Sequence, residues 1–182
     1  MATTILGDLF ESNASIIVHQ TNCVTRKPHG ISEKIARRWP NANVYAKRQG
    51  ATPNTAHASE EGIPGTCVML PTGTTGTTGP WRIAALMGQV CPGDGQSGYW
   101  CLRYGKDFAD DTAAARLKHF KAALHDLANQ LTDGPLKKTI AFPYRVGCGL
   151  AGGQWSLYEP LIQAFAKTVA EKGWKTYIYK NC

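Results

Sequence analysis

The residues best suited to chemistry lie in one run, Pro143-Tyr144-Arg145-Val146-Gly147-Cys148-Gly149-Leu150-Ala151-Gly152-Gly153-Gln154-Trp155. Its four glycines permit positive φ and close approach of the backbone to a ligand. The apolar run before it, Thr139-Ile140-Ala141-Phe142, reads as a buried strand. After it, Trp155, Tyr158, Leu161, Ile162, Phe165 and Val169 recur at three- and four-residue steps, a helical pattern. A helix start offers unpaired N–H groups and a partial positive charge. Strand, glycine turn and helix start together predict a cradle for phosphate. The glycines alone equally permit a flexible strand–helix connection.

Composition narrows the classes. A chain of 182 residues with 43% apolar and 18% charged residues predicts one globular domain spanning 1–182. The net charge of +7 favours anionic ligands such as nucleotides and is compatible with weak nucleic-acid contact. The basic residues are scattered, which suits a solvated surface better than a dedicated nucleic-acid groove. No apolar run of about 18 residues predicts a membrane span. Met1–Leu6 shows no basic region followed by a long apolar segment, so no secretory signal is expected. The resulting expectation is a cytoplasmic monomer, with the nucleus as a compatible location. The six cysteines include no Cys-x-x-Cys pair, so no metal site is expected and free thiols are.

The elements that must position the glycine run follow from periodicity. Strands are predicted at Thr3–Leu6, Ser15–Gln20, Thr66–Leu70, Trp81–Val90, Thr139–Phe142 and Trp174–Tyr179. Helices are predicted at Ile31–Trp39, Thr112–Leu131 and Trp155–Lys172, with Ser32 as a cap for the first. Thr112–Leu131 reads as amphipathic through Ala115, Leu117, Phe120, Leu124, Leu127 and Leu131. Thr72–Pro80 reads as a turn joining two strands into a hairpin, and Asp133-Gly134-Pro135 as a helix stop. Asn41–Gly65 reads as irregular, and Cys91–Asp111 as a long functional loop or lid. Strands alternating with helices imply an α/β class with a mixed sheet. Ligands of such sheets sit outside the carboxyl ends of strands. The loops after Gln20, Gln89 and Tyr144 are therefore the predicted site walls.

Three motifs then converge. Gly7-Asp8-Leu9-Phe10, His19-Gln20-Thr21-Asn22-Cys23 and Gly147-Cys148-Gly149-Leu150-Ala151-Gly152-Gly153-Gln154-Trp155 resemble those of macrodomains, the ADP-ribose-binding family. The last motif is similar to that of the branch containing the terminal ADP-ribose glycohydrolase and its microbial and viral relatives. The resemblance covers nearly the whole chain. It implies a three-layer α/β/α macrodomain fold with a mixed central sheet of about six strands. It also implies ADP-ribose or an ADP-ribosylated substrate as partner, and no cofactor. By the same resemblance, Asp8 would accept from the adenine amine, with the Leu9 backbone close by. Asn22 would hold the distal ribose, and Gly30 would relax the entry to the first helix. Gly147, Cys148, Gly149 and Leu150 would give N–H groups to the diphosphate, with Ala151 and Gly152 completing that wall. Tyr144 would pack on the ligand or on the core. Read from residue type alone, Asp8 is equally an N-cap and Asn22 equally an Asx-turn residue.

The departures carry as much. By this resemblance, the lysine that the glycohydrolase carries at the end of the strand before the long loop falls at Gln89 here, and its phosphate-loop acid falls at Ala151. Gln89 cannot form a Schiff base and Ala151 cannot move a proton. His29, on a first loop stiffened by Pro28, carries the side-chain type suited to acid/base work. It is equally an exposed loop histidine. The resemblance therefore implies a hydrolase without a lysine nucleophile, with Asn22, His29 and Gln89 as the catalytic candidates. Its substrate would be an ADP-ribosylated macromolecule, O-acetyl-ADP-ribose or ADP-ribose 1″-phosphate. A non-catalytic ADP-ribose reader, or an unrelated nucleotide- or RNA-binding α/β domain, are the other readings.

Overall fold

The computed structural model describes residues 1–74, 79–133 and 137–181. Part of the Thr72–Pro80 turn and of the Asp133-Gly134-Pro135 stop lies outside these residues. The strands are β1 (Thr3–Leu6), β2 (Ile16–Asn22), β3 (Cys67–Pro71), β4 (Arg82–Gln89), β5 (Thr139–Pro143) and β6 (Lys175–Lys180). The helices are α1 (Ile31–Arg38), α2 (Tyr99–Arg103), α3 (Ala113–Gln130) and α4 (Trp155–Ala170). Each predicted strand and helix is present within two residues at its ends. The long loop departs from expectation: it contains α2 and a short 3₁₀ turn at Phe108–Asp111. The periodicity of α2 is too short to register in the sequence.

The strands form one six-stranded sheet in the order β1-β6-β5-β2-β4-β3. The β3–β4 pair is antiparallel, as the predicted hairpin requires, and the other neighbours are parallel. This α/β/α arrangement has α3 and α4 on one face. There Ile16, Val18, Leu86, Ile140, Phe142 and Ile178 meet Phe120, Leu124, Leu127, Ile162, Phe165 and Val169. On the other face Ile17, Ile83 and Ala141 pack against Ile35 and Trp39 of α1 and its exit. Strand residues alternate between these two clusters, which is how the pleat distributes a strand buried on both sides.

Two local corrections matter for the site. Ser32 does not cap α1; Gly30 does, at φ 58°, and Ser32 is buried beneath the helix. The inward stripe of α3 runs through Arg116, Phe120, Leu124 and Leu127; Leu117 is half-buried and packs against the same cluster, and Ala115 is half-buried. Among the described residues, no helix is long and apolar enough to cross a membrane.

Candidate functional site

The site sits where the sheet opens. β2 and β5 share the pairs Ile16↔Ile140 and Ile17↔Ala141. Beyond Ile17 the two strands separate, and their connections leave in opposite directions along the sheet. That is a topological switch point, the place where doubly wound sheets hold ligands. The β5 exit supplies one wall. Arg145, a non-glycine residue at φ 59°, turns the chain, and Gly147 and Gly152 follow at φ 74° and 71°. A Cβ on Gly147 would lie 2.6 Å from Gln20 Oε1 and from Tyr158 Cε1, so this glycine is required for close packing.

The glycine loop presents donors, but fewer than expected. Cys148 N–H donates to Arg145 O at 2.9 Å and Gly152 N–H to Gly149 O at 3.0 Å. In this structure the turn uses the Cys148 N–H that was expected to face a diphosphate. The N–H groups of Gly147, Gly149, Leu150 and Ala151 have no acceptor among the described residues. The Cys148 thiol is buried and packs in the core cluster, and burial pushes it up to about 11. Leu150 crosses to the other wall, where its Cδ1 would lie 3.5 Å from a Cβ at Gly30.

Beside this loop is a pocket of about 530 Å³. Asp8, Leu9, Gly30 and Tyr144, four of the predicted ligand residues, line it together with Phe10, Ile31, Lys34, Tyr179 and Lys180. Asp8 Oδ1 accepts Phe10 N–H at 2.9 Å and caps the 3₁₀ turn Leu9–Glu11, so the N-cap reading holds. Its other oxygen has no donor among the described residues. Tyr144 leans on Trp155, ring centroids 5.1 Å apart, and carries Lys180 Nζ 5.0 Å from its own centroid.

The catalytic candidates are less free than the sequence suggested. Asn22 and Gln89 are register partners at the ends of neighbouring strands. Asn22 Oδ1 accepts Val24 N–H, Thr25 N–H and the Thr25 hydroxyl at 3.1, 2.9 and 3.0 Å. The Asx-turn use predicted as its alternative is therefore present, and only the amide Nδ2 remains to donate. Gln89 Oε1 accepts Gln20 Nε2 at 2.8 Å, and Gln89 Nε2 donates to Cys91 O at 2.8 Å. It is a buried link and not an unengaged helper. His29 is exposed, next to Gly30, and makes no hydrogen bond among the described residues. The structure does not bring these three into one hydrogen-bonded set.

Sequence reasoning missed four supports of the site. Arg116 is 2% exposed and pairs with Asp111 at 2.6 Å. It also donates to the carbonyls of Gly93 at 2.6 Å, Ala151 at 3.1 Å and Cys91 at 3.2 Å, joining the glycine loop to the β4 exit. Its signal was present: an arginine four residues before Phe120 lies on the apolar stripe. Arg48 is buried and donates to Thr25 O at 2.7 Å and Asn22 O at 2.8 Å, and lies 4.9 Å from the Tyr45 ring centroid. Burial lowers its proton affinity, and the polar stretch around it gave no hint of this role. Gln20 lies across Gly88, where a Cβ would be 2.7 Å from its Cδ; its own Oε1 is buried without a partner. Tyr45 Oη receives Asn22 N–H at 3.4 Å.

Beneath the first loop His19 is fully buried, with Nδ1 3.0 Å from Ser32 Oγ and Nε2 unpartnered. Burial lowers it to about 4, so it is neutral and structural. His119 bonds Asp110 O and His125 bonds Asn129, away from the pocket.

The sequence matches no family model and none of the curated proteins compared. Solved structures do match. The macrodomain of Mycobacterium tuberculosis DarG is 21% identical, with a TM-score of 0.65, over 98% of this chain and 97% of that one. The macrodomain of Thermus aquaticus DarG is 19% identical, with a TM-score of 0.66, over 99% and 98%. The Oceanobacillus iheyensis macrodomain with ADP is 14% identical, with a TM-score of 0.59, over 98% and 81%. An α/β/α sandwich with a crevice at its switch point is thus matched along nearly its whole length. The chain has the macrodomain fold.

Proposed function

We propose that this protein binds ADP-ribose. The adenosine lies in the pocket of Asp8 and Tyr144, the diphosphate along Gly147–Ala151, and the distal ribose toward Asn22 and His29. The observation that carries the reading is the continuity of the two parts. The glycine loop, with its unpartnered N–H groups, follows Pro143 and Tyr144 of the pocket wall and reaches the opposite edge through Leu150, 3.5 Å from a Cβ at Gly30, while the pocket contains a carboxylate oxygen with no donor among the described residues. Donors suited to phosphate stand beside an acceptor suited to an exocyclic amine. A neighbour of this fold is described with ADP, which is in keeping with the reading.

Calorimetric titration with ADP-ribose, AMP and ADP tests it, and two variants locate the ligand. A Cβ added at Gly149 would meet nothing within 4 Å, and the position needs no positive φ, so Gly149→Val keeps the fold while filling the phosphate path. It should abolish binding; retained affinity would place the cradle elsewhere. Asp8→Asn keeps the acceptor for Phe10 but turns the second oxygen into a donor. It should weaken binding by about 1–3 kcal/mol, and equal affinity would remove Asp8 from adenine recognition.

A second reading, hydrolysis of an ADP-ribose derivative, is favoured by one observation: His29 stands exposed, without a hydrogen bond among the described residues, on the loop that leaves β2 after Asn22. A water held over the distal ribose would be activated there, without a covalent enzyme intermediate. Asn22 and Gln89 would then position and not transfer protons. His29→Ala should stop turnover of an ADP-ribosylated substrate while sparing affinity for ADP-ribose. An unchanged rate would leave a reader module.

A further inference from the structure

The exit of β4 holds a cluster that the binding reading does not use. The Sγ atoms of Cys91 and Cys101 and a carboxylate oxygen of Asp111 lie within 4.8 Å of one another, all buried. Two thiols and a carboxylate suggest a metal, but the carboxylate is already occupied. Val90 N–H and Arg116 Nε reach Oδ1 at 2.7 and 3.0 Å; Cys91 N–H and Arg116 Nη2 reach Oδ2 at 3.1 and 2.6 Å. The Cys101 thiol also donates to Oδ2 at 3.4 Å, so the lone-pair positions of this carboxylate are all taken. The guanidinium also repels a second cation there. What remains is the chemistry of two neighbouring thiols.

Their placement gives that chemistry a consequence. Cys91 follows β4 directly, and Cys101 is the buried residue of α2 in the middle of the 91–111 segment. This segment rests on the glycine loop. A Cβ at Gly152 would lie 2.8 Å from Asp94 Cβ, and Arg116 joins Gly93 O to Ala151 O. Glycines at positive φ flank α2 at Gly93, Gly98 and Gly105, and a Cβ at Gly93 would lie 2.4 Å from the Trp100 ring, so the chain packs closely on this helix.

We propose that Cys91 and Cys101 are an oxidative modification site, closed to a disulfide by a peroxide, which fixes the 91–111 segment against the glycine loop. The Cys101 thiolate attacks one peroxide oxygen, the O–O bond breaks, and the leaving hydroxide takes a proton to become water. Cys91 sulfur then attacks the resulting sulfenic sulfur. The S–S bond forms, the S–O bond breaks, and a second water leaves with the Cys91 proton. Two electrons pass from the two thiols to the peroxide, and a small thiol reverses the step by exchange. Burial pushes both thiols above the ordinary range, so reaction follows lifting of the segment and is slower than for an exposed thiol.

The test treats the full chain with hydrogen peroxide, alkylates the remaining thiols and measures mass and peptide links. The expected product is about 2 Da lighter before alkylation, carries two fewer alkyl groups, and yields a Cys91–Cys101 linked peptide. Amide exchange between Cys91 and Asp111 should slow about tenfold. Cys101→Ser should lose both effects, and dithiothreitol should reverse them. Failure to form the link, with the two thiols still alkylated or singly oxidised, would overturn the site. A link without slowed exchange would overturn its effect on the segment. Protection of both thiols by added Zn²⁺ would overturn it in favour of metal binding. None of these readouts uses ADP-ribose, so they stand apart from the binding reading.

Discussion

Each wall of the crevice is held by one buried arginine, and the two are held differently. Arg116 ties the glycine loop to the β4 exit and has Asp111 as a counter-ion; both side chains are at most 2% exposed. Arg48 ties down the first loop through the carbonyls of Asn22 and Thr25 and makes no ion pair among the described residues. Its direct contacts are neutral, the face of Tyr45 and the sulfur of Met87, with an uncharged His19 under the same loop and the Glu61 carboxylate acting on it without an ion pair. The glycine-loop wall is thus held by a desolvated ion pair with all its donors used. The first-loop wall is held by a cation on carbonyl dipoles. A buried pair is hard to break because each half strands the other. A cation on carbonyls strands only polar groups when removed.

The largest expected effect is therefore at the paired site. Arg116→Met should destabilise the protein by about 3–5 kcal/mol, read as a shift in urea midpoint, and should abolish ADP-ribose binding with it. The double variant Arg116→Met with Asp111→Leu should recover part of that loss. If it does not, the stranded carboxylate is not the cause.

Acid should act on the other wall first. His19 has its folded-state affinity lowered from 6.5 to about 4, so between those values the unfolded chain binds the proton and the folded chain does not. Stability is then complete above pH 6.5 and declines as pH falls toward 4, by about 3 kcal/mol in all. His19→Gln should flatten that decline in urea titrations across the window. A profile identical to the parent would assign the acid sensitivity to other groups.

The smallest effect is expected at Arg48. Arg48→Met strands two carbonyls but also removes an uncompensated buried charge, a net cost of about 1–3 kcal/mol. A cost equal to that of Arg116→Met would show that the counter-ion is not what separates the two walls.

Much of the fold was legible because its signals are local. The β-branched run of β2 and the three- and four-residue steps of α4 report burial directly. So does the glycine punctuation between β5 and α4. Asp8, Leu9, Gly30 and Tyr144, named as ligand residues through the family resemblance of short motifs, line one pocket, a grouping the motifs did not state. What escaped was long-range. Arg48 and Asn22 are brought together across 26 positions, and Arg116 and Ala151 across 35. No periodicity reports such pairings. Gln89 illustrates the same limit. Its type suggested a polar group facing the ligand, whereas Gln20, drawn in over Gly88, occupies it. Cys148, read as a packing residue, packs in the core cluster, and a tight turn uses the N–H assigned to a ligand.

The separation of β2 from β5 after Ile17 has a mechanical side. The sheet is two three-stranded halves, β1-β6-β5 and β2-β4-β3, joined along their shared seam by the pairs of Ile16 and Ile17 and, beside them, the Ser15 N–H donating to Thr139 O. A ligand lying from Asp8 to Asn22 would run across that seam at its open end and act as a clasp. Occupancy would then be felt as stiffness between the halves, in strands that never touch the ligand.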